Sequence, residues 1–386
     1  MPAQAGIQSL LHGCSHYRAR NLDSRFHGND GREVDFESTD SEPFGLEPRV
    51  VQLVESFMKL NWLLLVLLVV SPLKSVHGQQ RFLMGYSSFS SNQTPLWVAK
   101  EEGLFKRYGS DPDLILIEGG TRGAQALISG DIPIMGMSGQ PVISARARGS
   151  DLTMIAGVVN KMNYIMVSSA AVKKPEDLKG KRIGAAQAGT ASYHAVLLGL
   201  KHWGLDARRD KITILQLGNQ AARVGSLQSG GSDAIIVNPG LGLSLKERGG
   251  QLLADFTELP IAYPQQTMAV RERTIKSDGD FVERVMKGVV AGNSFSLDPR
   301  NKSRVKQIIA KYLRLDSPDK AEEHYQSALK VLTPKPYVDV AGIATMIDFM
   351  AEADPLVAKL KPENVINHSV LKKLDDSGFI DQLAKR

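Results

Sequence analysis

Between residues 181 and 240 the apolar positions change period repeatedly. Residues 181–186 form a short apolar run that Gly189, Thr190 and Ser192 interrupt, after which Tyr193, Val196, Leu197, Leu200 and Trp203 recur at helical spacing. The pattern predicts a strand, a loop and a helix that Gly204 stops. Residues 212–217 predict a second strand, Val224 and Leu227 mark a second helix, and Gly230 and Gly231 precede a third strand over 234–237. Strands separated by helices of this length form parallel βαβ units, which leave loops and helix N-termini exposed along one sheet edge. A ligand is expected at that edge.

The same order of elements occurs about a hundred residues earlier. Residues 82–86 read as a strand, SSFSSNQTP as a loop, and 96–105 as a helix closed by Gly103 and Leu104. Strands over 114–117 and 132–137 follow, the second ending in Ser138 and Gly139. ILIEGGTRGAQALISGDIPIMGMSG and ILQLGNQAARVGSLQSGGSDAIIVNPG both run strand, glycine loop, Arg, Leu, Ser-Gly, strand. Such a long, weak repeat suits two similar lobes and not a solenoid. Residues 152–159 and 164–169 predict strands that finish the first lobe and cross to the second. A turn at Lys174, Pro175, Glu176 and Asp177 opens the second lobe, and 266–270 predicts a strand crossing back. Beyond Asp280 the pattern is helical: Phe281, Val285, Val289 and Val290, then Val305, Ile308, Ile309 and Tyr312, then Ile343, Met346, Ile347 and Met350.

The segments PLWVAKEEGLFKRYG, ALISGDIPIMGMSG, EDLKGKRIGAAQAGT, GLDARRDKITIL and LQSGGSDAIIVNP, in this order, resemble the solute-binding proteins of ABC importers of the nitrate, sulfonate and taurine group, the SsuA/THI5-like (NMT1-like) family. The resemblance covers roughly residues 80–380. It implies an α/β, two-lobed periplasmic binding protein type II fold, each lobe a mainly parallel sheet flanked by helices, joined by a two-strand hinge that closes on a ligand. Lobe 1 is then expected over 79–169 and again over 266–386, with lobe 2 over 170–265. The implied function is capture of a small organic solute, a sulfonate, taurine or another anion, and its delivery to a permease in the inner membrane. The chain is expected to be a monomer.

The first 57 residues do not fit that picture. They are polar, carry the only cysteine, Cys14, and read as a disordered extension or as the product of too early a start codon. Met58 and Lys59 then form a short basic region, 62–70 a brief apolar run, and Val76 and Gly78 place small residues where signal peptidase reads. The expectation is a cleaved signal peptide over 58–78 and a periplasmic product; the apolar run is too short for a membrane anchor. The whole chain carries +6, and removing residues 1–78 takes away more acid than base. A basic surface would attract an anionic solute, although scattered Lys and Arg also serve as a solvated face. No helix-turn-helix or ribonucleoprotein pattern supports nucleic-acid binding.

Enzyme chemistry finds little support. His194, His202, His324 and His368 lack metal-ligand spacing, so no metal is expected. Gly136 to Gln140 lacks the closing glycine of a nucleophile elbow, there is neither a P-loop nor GxGxxG, and no cofactor is expected. Fungal pyrimidine synthases of the THI5-like branch use a cysteine-rich motif that is missing after residue 78. A periplasmic sensory or accessory binding protein remains the alternative reading.

Candidate ligand groups lie in the loops. Ser87, Ser88, Phe89 and Asn92 precede a helix with Pro95 near its start, Ser138 and Gly139 precede another, and Gly189 and Thr190 precede a third with Thr190 as N-cap. Free N–H groups at such termini suit an anion. The resemblance implies that these loops face the cleft, with Asn238 and Pro239 at the end of the last second-lobe strand. Each hydroxyl would serve equally as a cap or turn. Phe89, Tyr164, Tyr193 and Tyr263 are candidates for an aromatic wall or for core. Arg122, after the Gly119 and Gly120 loop, is the expected partner of an anion, or a residue of a solvated helix face.

Overall fold

A computed structural model describes residues 81–385. The expected extension over 1–57 and the signal peptide over 58–78 lie outside the described residues. The strands are β1 (Arg81–Tyr86), β2 (Asp111–Leu116), β3 (Ile134–Met137), β4 (Leu152–Lys161), β5 (Ile165–Ser168), β6 (Arg182–Ala185), β7 (Thr213–Gln216), β8 (Ala234–Val237), β9 (Gln251–Asp255) and β10 (Ala262–Arg271). They form two five-stranded sheets of order β2-β1-β3-β10-β4 and β7-β6-β8-β5-β9. In the first, β1 runs parallel to β2 and β3, while β10 is antiparallel to β3 and β4. In the second, β6 runs parallel to β7 and β8, while β5 is antiparallel to β8 and β9.

The two sheets are therefore one plan executed twice, with one exchange. The antiparallel strand of each is donated by the segment that has just left the other: β5 follows β4 into the second sheet, and β10 follows β9 back into the first. These are the two crossings. Register shifts in the β10–β4 ladder fall between Ala262 and Gln266 and again next to Thr267, so the pairing is irregular where the chain changes lobe.

Helices cover both sheets. The longer ones include α1 (Thr94–Glu101), α2 (Gly120–Ser129), α3 (Gly139–Ala147), α4 (Ala191–His202), α5 (Gln220–Gln228), α6 (Pro239–Glu247), α7 (Gly279–Leu297), α8 (Lys302–Leu313), α9 (Glu322–Leu329) and α10 (Val340–Ala351). Asp278 caps α7 through Phe281 N, and the helix buries Val282, Val285, Met286, Val289 and Val290 on one face. That face meets Leu96, Trp97 and Val98 of α1 and Val305 and Ile308 of α8 in the first core. Burying each such side chain stabilises by roughly 1.5–3 kcal/mol. A second core starts on the other face of the first sheet with Met135, Met137 and Met154. It runs through Met162 and Tyr263 to Ile183, Val196 and Ile236 of the second sheet, so apolar packing continues across the crossing.

A buried polar network holds the crossing strands together. Asn163, between β4 and β5, donates its backbone N–H to Gln265 Oε1 of β10. Its Nδ2 donates to Asn92 Oδ1 at 2.6 Å and to Ser327 Oγ of α9 at 3.2 Å. Gln93 and Gln266 exchange amide hydrogen bonds of 3.0 and 2.8 Å. Buried polar groups tied in this way define one geometry, because breaking a single bond strands its partner away from water.

Candidate functional site

The C-terminal edges of the parallel strands of the two sheets face one another. Phe89, after β1, accepts hydrogen bonds at its carbonyl oxygen from Gln220 Nε2, after β7, and from Asn238 Nδ2, after β8, both at 3.2 Å. A Cβ on Gly189, after β6, would lie 3.9 Å from Thr121 Oγ1, after β2. Loops from both sheets thus meet along these edges.

Thr190 caps α4: its Oγ1 accepts from Tyr193 N at 3.4 Å and donates to Gln187 O at 2.7 Å. Gly189 before it has φ +78°, a conformation that favours glycine. Tyr193 is half-buried. Ser138 and Asn238 stand at the N-cap positions of α3 and α6 without side-chain capping bonds, and Pro239 is the first residue of α6. Ser87 and Ser88 are half-buried and Phe89 is 38% exposed. Gly139 packs under Met346 and Ile343 of α10, and Gly120 lies so close to Pro141 that a Cβ would come within 2.3 Å of Cγ, which seats α2 on α3. Asn92 is buried in the hinge network, turned toward Asn163. Arg122 is exposed on α2.

The buried cation is another residue, Arg223, 5% exposed on the first turn of α5. Its Nη1 donates to Ile236 O at 2.5 Å and its Nε to Asn219 O at 3.3 Å. Among the described residues its hydrogen bonds go to these carbonyls, its charge interacts with the phenol of Tyr164, and it forms no ion pair with a carboxylate. Burial lowers its pKa to about 10, opposed by Tyr164, so it remains charged at neutral pH. Burial likewise pushes Tyr164 up to about 12, against the pull of Arg223 and a hydrogen bond from Gln265. Tyr263 is fully buried, its hydroxyl has no partner among the described residues, and burial next to Tyr164 raises its pKa well above the usual phenol value. Gln140, in the first turn of α3, is 1% exposed, and neither of its side-chain polar atoms has a partner among the described residues. A buried guanidinium with no carboxylate partner among the described residues, and a buried phenol that also interacts with Tyr164 and has no partner among them, suit an anionic group bearing several oxygens.

The pseudo-repeat carries an arginine in the first turn of both helices, but Arg223 stands one position further along α5 than Arg122 does along α2, which turns it to another face of the helix. Arg223 is buried and Arg122 exposed. A recess between α6 and α9 is lined by Pro239, Asn163, Asp255, Glu323, Ser327 and Lys330 among others, so Pro239 borders it and Arg223 does not. Among the described residues no group of His, Cys, Asp and Glu is arranged to hold a metal, and no helix is long and apolar enough to cross a membrane.

A model of the family described as NMT1/THI5 like matches residues 90–301. The taurine-binding periplasmic protein of Escherichia coli (strain K12) is 28% identical over 176 residues, which make up 45% of this chain and 53% of that protein. The chain therefore matches about half the length of this curated relative. Among solved structures, the alkanesulfonate-binding protein SsuA from Xanthomonas axonopodis pv. citri, bound to MOPS, aligns with a TM-score of 0.62 at 22% identity over 74% of this chain and 98% of that one. The periplasmic nitrate-binding protein NrtA from Synechocystis PCC 6803 aligns with a TM-score of 0.63 at 11% identity over 78% and 89%. The two mixed sheets and their flanking helices share this two-lobed periplasmic binding protein fold.

Proposed function

This chain belongs to the NMT1/THI5-like family, and we propose that it is the periplasmic substrate-binding component of an ABC importer, capturing a small organic anion between its lobes for delivery to a membrane permease. The named relatives are binding proteins for taurine, alkanesulfonate and nitrate, which supports a solute-binding role and a periplasmic location. The observation that carries the anionic character of the solute is Arg223, a charged guanidinium in the interior with no carboxylate partner among the described residues. Isolating a cation in this way is costly unless something neutralises it.

In this reading Arg223 holds the charged head group, and Tyr263 supplies a hydroxyl hydrogen bond. The free N–H groups at the starts of α3, α4 and α6, with Ser138, Gly139, Gly189, Thr190 and Asn238, border the remainder. Phe89 and Tyr193 flank it as aromatic surface. Closure transmits occupancy because contacts to both lobes favour the closed form over the open one. Titration calorimetry with taurine, methanesulfonate, MOPS, nitrate and acetate tests the proposal. Binding of at least one anion that disappears in Arg223→Met supports it; binding that is unchanged in that variant overturns it.

A further inference from the structure

The first turn of α5 carries a second polar side chain that the ligand site does not absorb. Gln220 precedes Arg223 by three positions, so the two share one face of the helix. Both ends of its amide are committed: Oε1 accepts from Asn238 N at 2.8 Å, and Nε2 donates to the Phe89 carbonyl at 3.2 Å. The same carbonyl accepts from Asn238 Nδ2 at 3.2 Å, which occupies both of its lone pairs. Gln220, Asn238 and the Phe89 backbone thus form a closed set of three hydrogen bonds, two of which cross from one sheet's loops to the other's.

Local folding does not explain this arrangement. The N-cap of α5 is Asn219, whose side chain accepts from Ala222 N at 3.0 Å. Gln220 is only partly buried, and its partner in the first lobe is a main-chain atom of the loop after β1. Arg223 is tied to the same turn through its Nε bond to Asn219 O. An anion drawn to Arg223 would therefore order the turn that aims Gln220 across the cleft.

We propose that Gln220 is a positioning residue, a latch that fastens the lobes when Arg223 is occupied, so that the first turn of α5 couples anion capture to closure. The proposal rests on the receptor reading above, and its test separates the two. The full chain and its Gln220→Ala variant are titrated with taurine, methanesulfonate and nitrate, dissociation is followed by stopped flow, and the radius of gyration is measured by X-ray scattering with and without saturating probe.

In Gln220→Ala the dissociation constant should rise about tenfold, carried by faster dissociation with little change in association. The contraction on saturation should shrink, while the melting temperature of the free protein stays close to that of the parent. Adding Asn238→Ala should cost less than the sum of the single effects, because both amides act on one carbonyl. Full contraction at saturation in Gln220→Ala, or strict additivity with Asn238→Ala, overturns the latch and leaves the receptor reading standing. A parent chain that neither binds nor contracts with any probe overturns both.

Discussion

Arg122 and Arg223 both lie in the first turn of the helix in two copies of one strand, loop and helix unit, but one position apart, the third residue of α2 and the fourth of α5, and their surroundings differ. Arg122 lies on an exposed helix face, where its charge is solvated. Arg223 reaches inward to the end of β8, donates to the carbonyls of Asn219 and Ile236, and feels the phenol of Tyr164. In water a guanidinium exerts little pull on an anion, whereas away from water the same attraction is several-fold stronger. The lobes differ less in architecture than in where each places its positive charge. A duplicated fold can thus supply one half for recognition and one half to close over it.

The strongest way to break this comparison is to neutralise the two arginines in turn. Arg223→Met should weaken binding of the anionic probe at least about 100-fold, the range expected when one partner of a buried charge pair is removed. Arg122→Met should change it less than about twofold, because an exposed ion contributes little. Comparable losses in the two variants would mean that burial is not what separates the arginines. Next in size is the Thr190→Ala, Asn238→Ala double variant, in which two neutral hydrogen-bonding groups are lost. Its affinity should fall about tenfold with the fold retained, and unchanged affinity would remove α4 and α6 from the site.

Tyr263→Phe should act in opposite directions on stability and binding. Deleting a buried hydroxyl that has no partner should stabilise the unliganded protein by roughly 1 kcal/mol while weakening the probe several-fold. Weaker stability together with unchanged binding would assign that hydroxyl to the core.

The smallest expected effect concerns pH. His194 of α4, edge-on to Phe349 of α10, and His324 of α9, packed on Gly240 of α6, are both held near a pKa of about 4 by burial. Unfolded histidine takes up its proton near 6.5, so between about pH 6.5 and 4 the unfolded chain binds protons that the folded chain refuses, and stability falls as pH falls. Allowing for partial exposure, the loss should be roughly 1–2 kcal/mol per histidine. Chemical denaturation across this range should show a slope that flattens in His194→Leu; an unchanged slope would place the titration elsewhere.

Much of the fold was legible because the period of the apolar positions is dictated locally. The strand predicted over 234–237 is β8, and the run over 82–86 lies within β1. The repeat between the halves reappears as two sheets of equivalent order. Strand β9 was missed because QLLAD is too short to show a period.

The site was less legible because its chemistry depends on which polar groups are buried and what they meet. Asn92 reads in sequence as a loop donor, but residue 163, far along the chain, claims its side chain. The repeat marked arginine in both halves, one helix position apart, and packing shows that 223 is the buried one.

Binding of methanesulfonate to the parent protein and to Arg223→Met, measured by titration calorimetry with circular dichroism confirming that both are folded, asks whether Arg223 holds the anion. A saturable isotherm is expected for the parent and none within a roughly 100-fold higher concentration range for the variant. Equal affinity in two folded proteins would take Arg223 out of the site.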